Sequence, residues 1–145
     1  MKRRTKLLLA LLATVLWLWF IYGRSAKPAA LSHQESEGLL VLFQKIIPQM
    51  SMLFIRKLAH FGEYFLLGVL LWLDWRLWGR GSLILPLGAG LLFAAADEFL
   101  QTFIPGRSGE LSDVLLDFFG VCCGVLLLWL LQRRRHIRFV KPSQR

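Results

Sequence analysis

The sequence predicts an all-α fold, an integral membrane bundle of four transmembrane helices with both termini cytoplasmic. Three observations carry this expectation. Of 145 residues, 56% are hydrophobic and only 19% charged, whereas soluble domains run about 45–50% apolar and about 25% charged; the mean hydropathy is +0.53. Apolar stretches recur at close to the ~20 residues that cross a bilayer as a helix. The basic residues flank those stretches instead of gathering beside a folded core, so the net charge of +9 reads as topology and no nucleic-acid partner is expected. The same apolar content excludes intrinsic disorder.

The elements follow in order. Lys2, Arg3, Arg4 and Lys6 precede residues 7–22, among which Thr14 is the one plainly polar side chain. Residues 1–24 therefore read as an N-terminal transmembrane helix or a signal peptide; the long, Trp-containing apolar stretch favours the helix, while Ser25, Ala26, Ala29 and Ala30 leave cleavage open. Residues 25–54 read as an outer loop with an interfacial segment. The part from 23 to 38 has the Pro, Gly, Ser and mixed charge of a solvated loop, and 39–54 is apolar but broken by Lys45, Pro48 and Gln49, as an interfacial or re-entrant segment would be. Three further spans, at about 55–75, 83–103 and 111–131, give a three-helix core over 55–131. Residues 132–145 form a basic cytoplasmic tail.

Charge sets the orientation. Twelve Lys and Arg fall on the side of the termini and the 76–81 connection, against six on the other side, which places both termini inside. Trp72, Trp75 and Trp78 then mark the inner interface. Asp74 is the single acid among the twelve inner bases, whereas eight acids accompany the six outer ones. Cys122 and Cys123 project about 100° apart on a helix, which suits packing better than a disulfide or a shared metal.

Intramembrane polar residues are costly and need a partner or a wet cavity, and here they sit in the outer halves of the spans. Arg56, His60 and Glu63 fall within about a 60° arc of one helix. Asp97 and Gln101 are an i,i+4 pair continuing inward through Ala94 and Gly90, and Asp113 and Asp117 stand above Gly120 and Gly124. Small residues below and acids above predict helices packed closely in the inner leaflet and opening to a polar cleft outside.

His60 with Glu63 reads either as an acid/base pair with a carboxylate-oriented imidazole or as a structural ion pair; Asp97 joins them as the third catalytic candidate. Arg56, Lys57, Tyr64, Glu98, Gln101, Arg107, Asp113 and Asp117 are the substrate-binding candidates. The acids among these, with Asp97, form either a network neutralised by Arg56, Lys57 and Arg107 or a hard-cation site with Gln101, which His60 would extend to Zn²⁺. Without a compact spacing such as H-E-x-x-H, no metal ligand is assigned and the cofactor is unknown. Arg107, in the Gly-flanked 104–110 loop, reads as an anion clamp or as the partner of Asp113 or Asp97. Phosphate-loop, dinucleotide and Ser-His-Asp signatures are missing.

Arg56-Lys57-x-x-His60-x-x-Glu63-Tyr64-x-x-x-Gly68, then Asp97-Glu98-x-x-Gln101-x-Phe103-x-Pro105-Gly106-Arg107, then Asp113, resembles the VanZ-like family of bacterial membrane proteins over about residues 55–125. One position departs: the family usually has Asn where this chain has Asp117. The resemblance implies a multi-pass protein of the bacterial cytoplasmic (inner) membrane with a cell-envelope role, its founding members being associated with low-level teicoplanin resistance. It implies as partners the lipid bilayer and a lipid-linked envelope component or glycopeptide at the outer face. Three functions stay open: lowered glycopeptide susceptibility, an intramembrane-cleft hydrolase or transferase acting on a lipid or peptidoglycan precursor, and a non-catalytic binding or assembly module.

Overall fold

The four long apolar stretches of the sequence are helical in the computed structural model of the protein, which describes residues 3–139 except 46, 50 and 80, and the side chains of these except 36, 39 and 135–139. The helices are α1 (Arg3–Ser25), α2 (Ala29–Gln44), α3 (Met52–Leu77), α4 (Ile84–Gln101) and α5 (Leu111–Phe139), with no strand among the described residues. Among the described residues three helices are long and apolar enough to cross a membrane: α1, α4, and α5 through Arg134.

The remaining long helix, α3, has 26 residues, about 39 Å at 1.5 Å per residue. Arg56, Lys57, Glu63 and Asp74 lower its hydropathy. It carries them because it is the central helix, packed against each of the other four, so its polar groups meet helices where an outer helix would meet lipid. Ser51 caps its start by accepting from the Phe54 amide at 3.2 Å. At its far end Gly79, with φ of 82°, follows the last turn in the left-handed conformation that glycine supplies at helix C-termini.

The stripe of small residues does what its spacing predicts. A Cβ on Gly120 would lie 2.7 Å from the Phe61 carbonyl oxygen, and one on Gly124 would lie 2.1 Å from that of Phe65. Residue numbers rise together on both sides of this seam, so α3 and α5 run parallel with their backbones in contact, as a G-x-x-x-G face allows. Gly68 answers from α3, where a Cβ would come within 2.4 Å of the Val121 carbonyl oxygen, and Gly90 of α4 receives the Val121 side chain. Val121 and Val125 join Ile21, Tyr64, Leu67, Trp72 and Ala94 in one core drawn from α1, α3, α4 and α5.

Three expectations change. Residues 29–44 are the helix α2, where composition predicts a loop through 38. Pro28 precedes it at φ −52° and ψ 147°, the segment after it contains no further proline, and its polar residues are those of a largely exposed helix. Helix α5 runs on to Phe139, so the basic tail continues the fourth apolar segment as helix; Lys141 and Arg145 lie outside the described residues. Trp72 belongs to the core, 2% exposed, with its indole N–H donating to Gln132 Oε1 at 3.1 Å. Trp78 remains exposed, as an interfacial residue would be.

Candidate functional site

The polar side chains collect where α1 and α4 end and α3 and α5 begin. Helix α1 arrives with Arg24 and Ser25 in its last turn, one turn past the buried Ile21. The α4 end turns back through Thr102, Phe103 and Ile104. The turn closes with the Arg107 amide donating to the Ile104 carbonyl at 3.1 Å. Gly106 sits at φ 75°, the conformation that a Pro-Gly turn requires of its third residue. Gly109 presses on α4, a Cβ there lying 2.6 Å from the Glu98 carbonyl oxygen. That contact aims the Glu110 amide at Glu98 Oε2, 3.0 Å away, and α5 starts at the next residue.

Arg107 ties this loop to the first two helices. Its Nε donates to the Lys27 carbonyl at 2.9 Å, Nη2 to the Arg24 carbonyl at 3.4 Å and Nη1 to Gln101 Oε1 at 3.1 Å. The Ala29 amide adds a bond to the Pro105 carbonyl at 3.2 Å. Arg107 thus reaches the acids through Gln101, a correction to its expected pairing with Asp113 or Asp97. Burial, reinforced by the neighbouring Arg56 charge, lowers its pKa from the ordinary value.

Other pairings are reassigned as well. Glu63 takes Arg24 Nη1 at 2.6 Å, so it is the partner of α1 and does not orient His60. The imidazole instead faces Asp117, Nδ1 to Oδ1 at 3.7 Å. Lys57 pairs with Asp113 in the first turn of α5, where the helix dipole also favours an anion. Tyr64 is fully buried and its hydroxyl, next to the Asp97 carboxylate, donates to the Phe93 carbonyl at 3.4 Å.

Below the cleft mouth lie the deepest carboxylates. Asp97 and Asp117 are both fully buried and Glu98 is 4% exposed. Asp97 Oδ2 accepts from Ser25 Oγ at 2.9 Å and from Gln101 Nε2 at 3.5 Å, and Gln101 Nε2 also donates to Glu98 Oε1 at 3.0 Å. Asp97 Oδ1, both Asp117 oxygens and His60 Nδ1 are buried without a hydrogen-bond partner. One ligand atom from each of His60, Asp97, Glu98 and Asp117 lies within 4.8 Å of the others. Among the described residues these four, from three helices, are the ones grouped so as to hold a metal.

Above them the cleft is basic. Arg24, Arg56 and Arg107 line its inner part with His60 and Glu63, and Arg56, Lys57 and Arg107 its outer part with Gln101 and Asp113. Arg56 has no hydrogen bond or ion pair among the described residues. The structure therefore brings together the predicted site residues, with Tyr64 in the core beside Asp97. It adds Arg24 and Ser25, which a reading of the hydropathy leaves in the loop; their signal is Thr14, Ile21 and Ser25, all buried at spacings that put them on one face of α1.

Fold and site together define a helical membrane protein with one polar centre at a single end of its bundle. Residues 10–132 match the VanZ/LLP1 family, and the chain belongs to that family. It is also 34% identical over 88 residues, 61% of its own length, to the uncharacterized membrane protein YwnJ of Bacillus subtilis (strain 168). That match spans 59% of the relative. No solved structure matches the chain.

Proposed function

We propose that the protein spans the bacterial cytoplasmic membrane four times, through α1, α3, α4 and α5, with both termini inside and the polar cleft open to the outside. There it binds the anionic headgroup of a lipid-linked envelope component and lowers susceptibility to lipid-anchoring glycopeptides such as teicoplanin. The observation that carries this reading is the guanidinium of Arg56, unpaired among the described residues, beside Arg107 on one cleft wall. Two guanidiniums held against their mutual repulsion suit a phosphate or carboxylate bound in bidentate fashion. Family membership supports the envelope role, and the twelve inner bases support the orientation.

A second reading makes the cleft catalytic, a hydrolase or transferase acting on the same bound precursor. It is favoured by the His60 imidazole facing a buried carboxylate, the arrangement of a general acid/base. Deleting the gene tests the proposal. Teicoplanin susceptibility rises in the deletion strain, returns with the wild-type gene and does not return with Arg56→Ala. Unchanged susceptibility after deletion, in a strain shown to make the protein, contradicts it.

A further inference from the structure

Asp117 alone among the described residues has two buried side-chain oxygens without a hydrogen-bond partner. It is fully buried, and neither carboxylate oxygen has a hydrogen-bond donor. Its surroundings make matters worse for a lone anion, because Asp97 Oδ1, buried and equally unpartnered, and the Glu98 carboxylate belong to the same cluster. Burying such a set of anions, with the His60 imidazole as the one cationic group facing Asp117, is among the costliest arrangements a protein interior can hold. The basic residues of the cleft do not relieve it. Arg24 is taken by Glu63, Lys57 by Asp113, Arg107 stops at Gln101, and Arg56 makes no ion pair with the cluster among the described residues.

We infer that His60, Asp97, Glu98 and Asp117 bind a divalent transition-metal ion, Zn²⁺ by the chemistry of the donors. One imidazole nitrogen and three carboxylate oxygens are a Zn²⁺ set, whereas Mg²⁺ and Ca²⁺ take oxygen alone. Ligand atoms about 2.1 Å from a shared ion lie about 3–4 Å apart, and the four offered here lie within 4.8 Å of one another. Small side-chain movements close the sphere. One unpartnered oxygen of Asp97, both of Asp117 and the His60 Nδ1 are the lone pairs that the ion would take up.

A supporting shell is in place. Gln101 donates to both Asp97 and Glu98 while its own oxygen is held by Arg107, Ser25 fixes the other Asp97 oxygen, and the Glu110 amide fixes Glu98. Outer partners of this kind orient ligands and typically contribute 10–100-fold in metal affinity. An entry path exists as well, since His60 lines both parts of the cleft. The ion and three carboxylates sum to one negative charge, next to the Arg107 that holds Gln101. This inference does not depend on which headgroup the cleft receives.

The experiment uses the full chain, purified without chelator in detergent and stripped afterwards, then titrated with Zn²⁺ and with Mg²⁺ by calorimetry. Wild type binds about one Zn²⁺ per chain, and far more tightly than Mg²⁺. Asp117→Asn and His60→Gln each weaken Zn²⁺ binding by about 100-fold or more and Gln101→Ala by about 10–100-fold, while His33→Ala, outside the cluster, changes nothing. Wild-type protein that binds no Zn²⁺ overturns the inference whatever the variants do. Equal affinity for the two ions, or tight binding retained in Asp117→Asn, overturns this ligand set. Retention of helical content on circular dichroism shows that each variant compared is folded.

Discussion

Gly124→Ala lowers the stability of the bundle by about 3 kcal/mol, the upper end of the usual over-packing cost. The reason is geometric. The added methyl would lie 2.1 Å from the Phe65 carbonyl oxygen and 3.0 Å from the Val69 nitrogen, and both are backbone atoms that no rotamer change moves aside. Helices α3 and α5 must separate, and the separation loosens Val121 from Gly68 and Gly90, where it is equally close. Unfolding in detergent titrated with sodium dodecyl sulfate measures the loss. Gly62→Ala is the control, because a Cβ there meets nothing within 4 Å and alanine in a helix interior gains up to about 1 kcal/mol over glycine. If both substitutions shift the unfolding curve alike, the parallel backbone seam is wrong.

Glu98→Ala has an effect of similar size for a different reason. The Glu98 carboxylate is the acceptor for the Glu110 amide and for one Gln101 proton, and a hydrogen bond to a charged group contributes about 1.5–3 kcal/mol. Removing it leaves two donors unsatisfied at the joint between α4 and α5, so the expected loss is about 3 kcal/mol. Measured with a chelator present, that loss carries no metal contribution and is net of the repulsion from Asp97 and Asp117 that the substitution relieves. Glu98→Gln, which keeps an acceptor for the Glu110 amide, recovers part of it. No recovery by the amide, or no loss in the alanine variant, shows that Glu98 does not hold this joint.

Much of this was legible in the chain because two physical rules act along a single helix. Periodicity places residues on faces, so the stripe of Gly120 and Gly124 beneath Asp113 and Asp117, and the arc of Arg56, His60 and Glu63, are readable from spacing alone. The cost of charge in lipid confines such groups to one wet end. Partner choice is different, because it depends on which helix lies opposite. Glu63 bonds to Arg24, 39 positions away in sequence, and His60 faces Asp117 from another helix; an i,i+3 neighbour on the same helix was the only partner that spacing could offer. Helix α2 was missed for a related reason. Polar residues are shared by loops and by exposed helices, and composition alone does not separate the two.

The position of α1 follows the same logic. As an isolated segment it reads as an anchor sooner than as a signal peptide, with cleavage left open. In the structure it packs on the other helices: Trp17 Nε1 donates to the Glu63 carbonyl at 2.9 Å, Thr14 Oγ1 to Asp74 Oδ2 at 2.7 Å, and Ser25 reaches Asp97. Each of these contacts joins α1 to a polar group of the core that would otherwise lose a partner.

In the proposed topology the cleft and its buried carboxylates open to the outer face of the membrane. Ser108, exposed in the loop above the cleft, and Ser82, exposed in the connection at the opposite end, are the reporters. Each is changed to cysteine singly in a chain whose Cys122 and Cys123 are replaced by alanine, and intact cells are treated with a membrane-impermeant maleimide. Ser108→Cys is labelled in intact cells and Ser82→Cys only after lysis. Labelling of Ser82→Cys in intact cells, with Ser108→Cys protected until lysis, contradicts the claim.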